Sequence, residues 1–183
     1  MSHMDFELLL VLPQDESTVT GSRLKIVLVF ALSGRRYETA GTAEELEKYL
    51  RGIKEESKRG EKHRILFALP LGENGLNFEY FRILRCLRER SSALEGWLGA
   101  LIIDSQSSLY TKSTARDLVF TANRAGCAFV GRPLVEGTET LSNFAIAAKN
   151  MGTDWMGAYR PSSWPGPPGR GPARPAPRCR RGG

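Results

Sequence analysis

Three short stretches of this sequence gather residue types that can grip an anion. Ser33, Thr39 and Thr42 stand in a Ser/Gly/Thr-rich run ahead of an apolar-periodic segment. Gly72-Glu73-Asn74-Gly75 forms a turn whose glycines and asparagine tolerate left-handed backbone. Asp104-Ser105-Gln106-Ser107-Ser108-Leu109-Tyr110 is a polar connection leading into another periodic segment. Hydroxyls and free backbone N–H groups at a helix start suit a phosphate. An ordinary capped helix accounts for the first stretch as well, because Thr42 with Glu45 is a capping box and the tight Gly-x-x-x-x-Gly-Lys-Ser/Thr loop is absent.

Other chemistries lack their parts. The opening Met-Ser-His-Met reads as an expression remnant, which leaves His63 as the native histidine, and His63 precedes its strand and so belongs at the edge away from these loops. A Ser-His-Asp hydrolase therefore lacks its base, and Cys86, Cys127 and Cys179 are too scattered for a metal site. Asp104 and Glu136 read either as a carboxylate pair or as strand-end residues capping nearby helices. The inventory favours a polar ligand held by backbone and hydroxyl groups, with any chemistry brought by a bound cofactor.

These residues need a scaffold that delivers them to one place. Phe6 to Leu12, Lys25 to Leu32, Ile65 to Leu71, Gly99 to Asp104 and the run from Cys127 are short and apolar without polar alternation, as strands covered on both faces are. Between them lie helical patterns: Leu46, Tyr49, Leu50 and Ile53; a helix from Asn77 to Arg90 with Phe78, Phe81, Leu84 and Leu87 inward and Glu79, Arg82, Arg85, Arg88 and Glu89 outward; and Ala115, Leu118, Val119 and Ala122 ahead of a stop at Gly126. Leu141, Phe144, Ala145 and Ala148 suggest one more helix over 140–150. Strand, helix, strand repeated predicts an α/β fold with a mostly parallel sheet of about five strands, whose carboxyl ends gather the Gly, Ser, Thr and Asn loops on one rim.

Residues 5–158 read as one domain and 159–183 as a Pro/Gly/Arg-rich tail expected to be disordered, abrupt enough to suggest an altered end replacing a final helix. The formal charge of +6 resides in that tail: setting aside its six arginines from Arg160 to Arg181 leaves 20 basic residues against 20 acidic ones. A solvated tail explains this better than a nucleic-acid footprint, which clusters on a folded face. No apolar run reaches the ~20 residues of a membrane span. The cysteine pattern, without Cys-x-x-Cys or a secretory signal, suits a reducing cytoplasm. Cys86 reads as a packing residue.

The order of elements resembles the flavodoxin-like NAD(P)H-dependent FMN reductases over about residues 24–150: a Ser/Thr loop after Leu32, the turn Leu69-Pro70-Leu71-Gly72-Glu73-Asn74-Gly75, and a polar loop entering a helix after Ile103-Asp104. The resemblance implies a flavodoxin-like three-layer sandwich, FMN as cofactor, NADH or NADPH as co-substrate, and a quinone, flavin or other small molecule as acceptor. It makes Ser33, Thr39 and Thr42 phosphate ligands. It sets Pro70, Leu71, Gly72, Glu73, Asn74 and Gly75 beside the flavin, with Ser105, Gln106, Ser108 and Tyr110 facing its other side. The sequence departs from the family in Arg35-Arg36-Tyr37 within the phosphate loop, an additional N-terminal strand, and no Gly-Gly after the fourth strand. The same architecture also hosts cofactor-free binding or dimerisation modules and nucleotide- or phosphosugar-binding enzymes. A homodimer is the expected assembly.

Overall fold

The computed structural model describes residues 7–13, 24–25, 28–29, 32, 36–56, 63–72, 74–105 and 108–137. The expected helix over 140–150 and the tail lie outside them. Five strands, β1 (Glu7–Val11), β2 (Glu38–Ala40), β3 (His63–Pro70), β4 (Leu98–Asp104) and β5 (Ala128–Gly137), form one sheet in the order β2-β1-β3-β4-β5, and every pairing is parallel. Three helices are fully bounded: α1 (Ala43–Glu56), α2 (Phe78–Glu89) and α3 (Ser108–Arg124).

The period of two along each strand splits the core. Leu9, Val11, Ile65, Phe67, Leu69, Leu101 and Ile103 face the layer of α1, α2 and α3; Leu8, Leu10, Leu66, Ala68, Ala100 and Ile102 face the other side. Both faces are covered, which is why these strands carry no polar alternation. In β3 all eight residues are buried, Arg64 among them.

The expected strand Lys25 to Leu32 is not a strand. Leu24, Lys25, Leu28 and Val29 are helical, Leu32 N–H bonds Leu28 O at 2.9 Å, and Leu24, Leu28 and Leu32 bury one side at a spacing of four against the second face. Adjacent Leu28 and Val29 are buried and exposed respectively, as neighbouring positions on a helix can be. The crossover from β1 to its parallel neighbour β2 thus carries helical residues at 24–25 and 28–29, and the fifth strand is β2, three residues long, inside the stretch read as a phosphate loop. The supposed additional N-terminal strand is β1, which has β2 on one side and β3 on the other.

A second correction concerns α2. Phe78 and Phe81, expected inward, are 71% and 48% exposed, and the buried stripe is Tyr80, Ile83, Leu84, Cys86 and Leu87, joined by Glu79, expected outward. The rotation is fixed at the helix start. Asn77, fully buried, accepts from Tyr80 N–H at 2.9 Å as the N-cap, while its Nδ2 donates to Pro70 O at 2.9 Å. The inward stripes of α1 and α3 are as expected: Leu46 and Leu50 are buried with Tyr49 and Ile53 against them, and Ala115, Leu118 and Ala122 are buried beside Val119.

Candidate functional site

The chain leaves β1 to build β2 on one side, then crosses back to build β3 on the other. The connections after β1 and β3 consequently run apart at the carboxyl ends of the strands, which opens a crevice where ligands of such sheets bind. Leu12 and Pro13 stand on its β1 side; Leu12 N–H still pairs with Ala40 O at 2.9 Å. On the other side β3 and β4 end flush, because Leu71 N–H donates to Asp104 O at 2.8 Å.

The turn after β3 is built to stay closed on itself. Gly72 N–H donates to Leu76 O at 3.0 Å and Gly75 N–H to Gly72 O at 2.9 Å, with Gly75 at φ +69°. The ring of Tyr110, from the first turn of α3, presses on Gly75 so closely that a Cβ there would collide with it. Gly75 and Tyr110, expected on opposite sides of a flavin, are here in direct contact with each other. Their exposed chain neighbours, Leu76 and Leu109, flank the contact at 45% and 73% exposure. No acidic residue occupies the first turn of α3.

The other expected site residues divide clearly. Asn74 is exposed on the turn, Gly72 is half-buried, and Ser108 opens α3. Pro70 closes β3, Leu71 is fully buried in the core beneath the turn, and Ser105 is fully buried after β4. Ser33, Glu73 and Gln106 lie outside the described residues.

Thr39 and Thr42, expected as phosphate ligands, lie away from the crevice. Thr39 is a residue of β2, and Thr42 follows that edge strand, one strand removed from the crevice. The start of α1 also carries its own anions. Thr42 Oγ1 accepts from Glu45 N–H at 3.2 Å, Glu45 Oε2 accepts from Gly41 N–H at 2.7 Å, and Glu79 Oε1, reaching over from α2, accepts from Ala43 N–H at 2.6 Å. The second oxygen of Glu79 takes Arg82 at 3.0 Å, and Arg82 also pairs with Glu44. A helix start favours negative charge, and here three donors are satisfied by protein groups, two of them carboxylates.

Between α1 and α2 runs a groove of about 590 Å³ lined mainly by charged side chains. Its arginines are matched by carboxylates: Arg82 with Glu44 and Glu79, Arg90 with Glu47, and Arg85 with Glu89 at 2.8 Å. Opposite charges in this number make the groove a clasp between helices rather than a receptor for one sign of ligand.

His63 begins β3 at the edge remote from the crevice, stacked on Trp97 with centroids 4.8 Å apart. Cys86 and Cys127 are buried, and burial raises both thiols, that of Cys127 to about 12. Burial thus disfavours at both the thiolate that redox or nucleophilic chemistry requires. Burial also raises the phenol of Tyr80 above its ordinary range, with the charge of Asp117 adding to the shift, and its O–H donates to Thr114 O at 3.1 Å. Among the described residues no group of three His, Cys, Asp or Glu side chains could hold a metal, and no helix is long and apolar enough to cross a membrane. Asp104 is fully buried at the end of β4, and the side chain of Glu136 lies outside the described residues.

Sequence reasoning overlooked the segment that follows β1. Residues 14–23 lie outside the described ones, but their sequence includes Ser17-Thr18-Val19-Thr20-Gly21-Ser22, separated from helical Leu24 by Arg23 alone. The available signal was a hydroxyl-rich run between the first strand and an apolar segment, and it was masked by reading that segment as a strand.

No family model and no curated protein matches the sequence. Solved structures do match the fold. A Streptococcus pneumoniae flavodoxin superposes with a TM-score of 0.54 at 8% identity, over 84% of this chain and 99% of the other. Oxidised flavodoxin 1 from Bacillus cereus gives 0.53 at 15% identity over the same shares. An oxidoreductase from Corynebacterium diphtheriae gives 0.50 at 12% identity, over 82% and 97%. Likeness at these identities speaks for architecture alone: the chain has the flavodoxin-like α/β fold.

Proposed function

We propose that the chain is an FMN-binding reductase that takes hydride from NADH or NADPH and passes electrons to a quinone, flavin or other small acceptor. The observation that carries this reading is the reversal of strand order at β1 and β3, with the turn after β3 and the start of α3 drawn together beside it. The donor set suits a flavin. Leu76, Leu109 and Tyr110 offer an apolar and aromatic surface to a flat ring, and no acid in the first turn of α3 opposes an anionic ligand. The hydroxyls of Ser17, Thr18, Thr20 and Ser22, set between β1 and the helical residues from Leu24, would hold the phosphate; that assignment rests on sequence and connectivity. FMN supplies hydride and electron chemistry when bound, and the chain's part is to hold and orient it and to shield it from water. The hydride donor and acceptor rest on the sequence resemblance, and the flavodoxins among the structural neighbours support a flavin.

The test is an absorbance spectrum of freshly purified protein, followed by titration of stripped protein with FMN. Yellow protein, or quenching of flavin fluorescence with a dissociation constant of about tens of micromolar or tighter, is the expected result. Colourless protein that quenches neither FMN nor FAD overturns the reading. That outcome would favour a cofactor-free binding module, which the internally bonded N–H groups of Gly72 and Gly75 also suit.

A further inference from the structure

The helical layer separates charge from one helix to the next. In α1, Glu44, Glu45, Glu47, Glu55 and Glu56 outnumber Lys48, Arg51 and Lys54. On the outer sides of α2 and α3 the sign reverses: Arg85, Arg88, Lys112, Arg116 and Arg124 are exposed, against the acids Glu89 and Asp117. Those acids meet Arg85 and Arg116, at 2.8 and 3.3 Å, while Arg88 and Lys112 enter no ion pair among the described residues.

The same face is apolar as well as basic. Leu76, Phe78, Phe81, Leu109 and Phe120 belong to it, and of the large apolar side chains exposed among the described residues only Val29 and Tyr37 lie elsewhere. These side chains are gathered. Tyr80 O–H donates to Thr114 O across α2 and α3, and the Gly75–Tyr110 contact sets Leu76 beside Leu109 at the carboxyl rim, with Phe78 opening α2 two residues on. Leu109, Lys112, Arg116 and Phe120 then follow one another down α3 at i, i+3, i+7 and i+11. Single exposed apolar residues are ordinary, but a contiguous group of them marks a surface for interaction.

The order along the helices says what covers it. Both helices follow parallel strands of one sheet, so both begin at the same rim. At 1.5 Å rise per residue, Lys112 and Arg116 stand about 5 and 10 Å behind Leu109, and Arg85 about 10 Å behind Phe78. An apolar tip backed by cations matches a lipid leaflet: leucines and rings enter the headgroup boundary by about 5–10 Å, and Lys and Arg stems bend their charges back to the phosphates. A nucleic acid would take the cations but gives Leu76 and Leu109 no apolar depth, and a second copy of this face would repel it by like charge.

We propose that the α2–α3 face docks rim-first on an anionic lipid surface, Leu76, Phe78 and Leu109 entering the leaflet and Lys112 and Arg116 meeting lipid phosphates. This is attachment to a surface and needs no spanning helix. The inference is independent of flavin binding and is tested without added flavin.

Full-length protein is sedimented with phosphatidylcholine vesicles containing roughly one-third phosphatidylserine. Half-binding at about submillimolar lipid or tighter is expected, weakened about tenfold or more in pure phosphatidylcholine and in ~0.5 M salt. Phe78→Ser should weaken it about tenfold and Lys112→Gln about fivefold, and unchanged urea midpoints show that both variants fold. Lys48→Gln removes an equal charge from α1 and should leave binding unchanged. Protein that stays in solution with every vesicle overturns the proposal, whether or not it retards duplex DNA in a gel. Binding that Phe78→Ser and Lys112→Gln both keep overturns it equally and assigns the attraction to the six arginines from Arg160 to Arg181. Equal binding to pure phosphatidylcholine removes the anionic lipid and overturns it too.

Discussion

The starts of α1 and α3 share an outline: a polar connection leaves a parallel strand and enters a helix that packs on the same face of the sheet. Their chemistry is opposite. At α1 the backbone donors are claimed by Thr42, Glu45 and Glu79, and arginine from α2 completes the charge balance. At α3 no acid stands in the first turn, Tyr110 is set against the glycine turn after β3, and exposed leucines flank the contact. At α1 the protein fills the anion position itself, so hydroxyls before that helix do not by themselves mark a ligand site. In this chain the carboxylate that fills it comes from 36 residues further along the sequence.

The sharpest way to break the contrast is at its aromatic side. Gly75→Ala imposes a side chain at φ +69° and drives it into Tyr110, and the sum of left-handed strain and overpacking is about 2–4 kcal/mol of lost stability in urea unfolding. In a Tyr110→Ala background the penalty should fall to the backbone part alone, about 1–2 kcal/mol; an unchanged penalty would show that the two loops do not depend on each other. Glu79→Ala comes next, at about 2–3 kcal/mol, because it strips a charged acceptor from Ala43 N–H. Glu79→Gln keeps an acceptor and should recover most of that loss in the same unfolding assay. Thr42→Ala is the smallest, about 1 kcal/mol from the lost cap, with no change in FMN affinity by fluorescence titration. A large loss of FMN affinity in that variant would return the phosphate to α1 and dissolve the contrast.

Much of the architecture was legible because burial on both faces leaves a plain mark. β1, β3 and β4 are apolar runs of strand length, β5 opens on one at Ala128-Phe129-Val130, and α1 and α3 keep their expected stripes. Residues 25–32 misled because an apolar run without polar alternation has no period, and eight residues suit a strand. The parallel pairing of β1 with β2 calls for a crossover of a kind that is usually helical. β2 itself was invisible: Glu38-Thr39-Ala40 is held by backbone pairing with Leu9, Leu10 and Val11, not by apolar content. In α2, Phe78 and Phe81 satisfied the helical template as well as Ile83 did, and the choice between faces is made by Asn77, whose amide bonds no composition could reveal. At the site, Gly75 and Tyr110 were legible as turn glycine and loop aromatic. Glu79 was not, since its partner lies in another helix.

Asn77 has a mechanical consequence. A single amide grips the last carbonyl of a central strand with one end and an N–H in the first turn of α2 with the other. A shift of the strand tip by a guest in the crevice would be delivered to that helix as a change of tilt, with no slack in between.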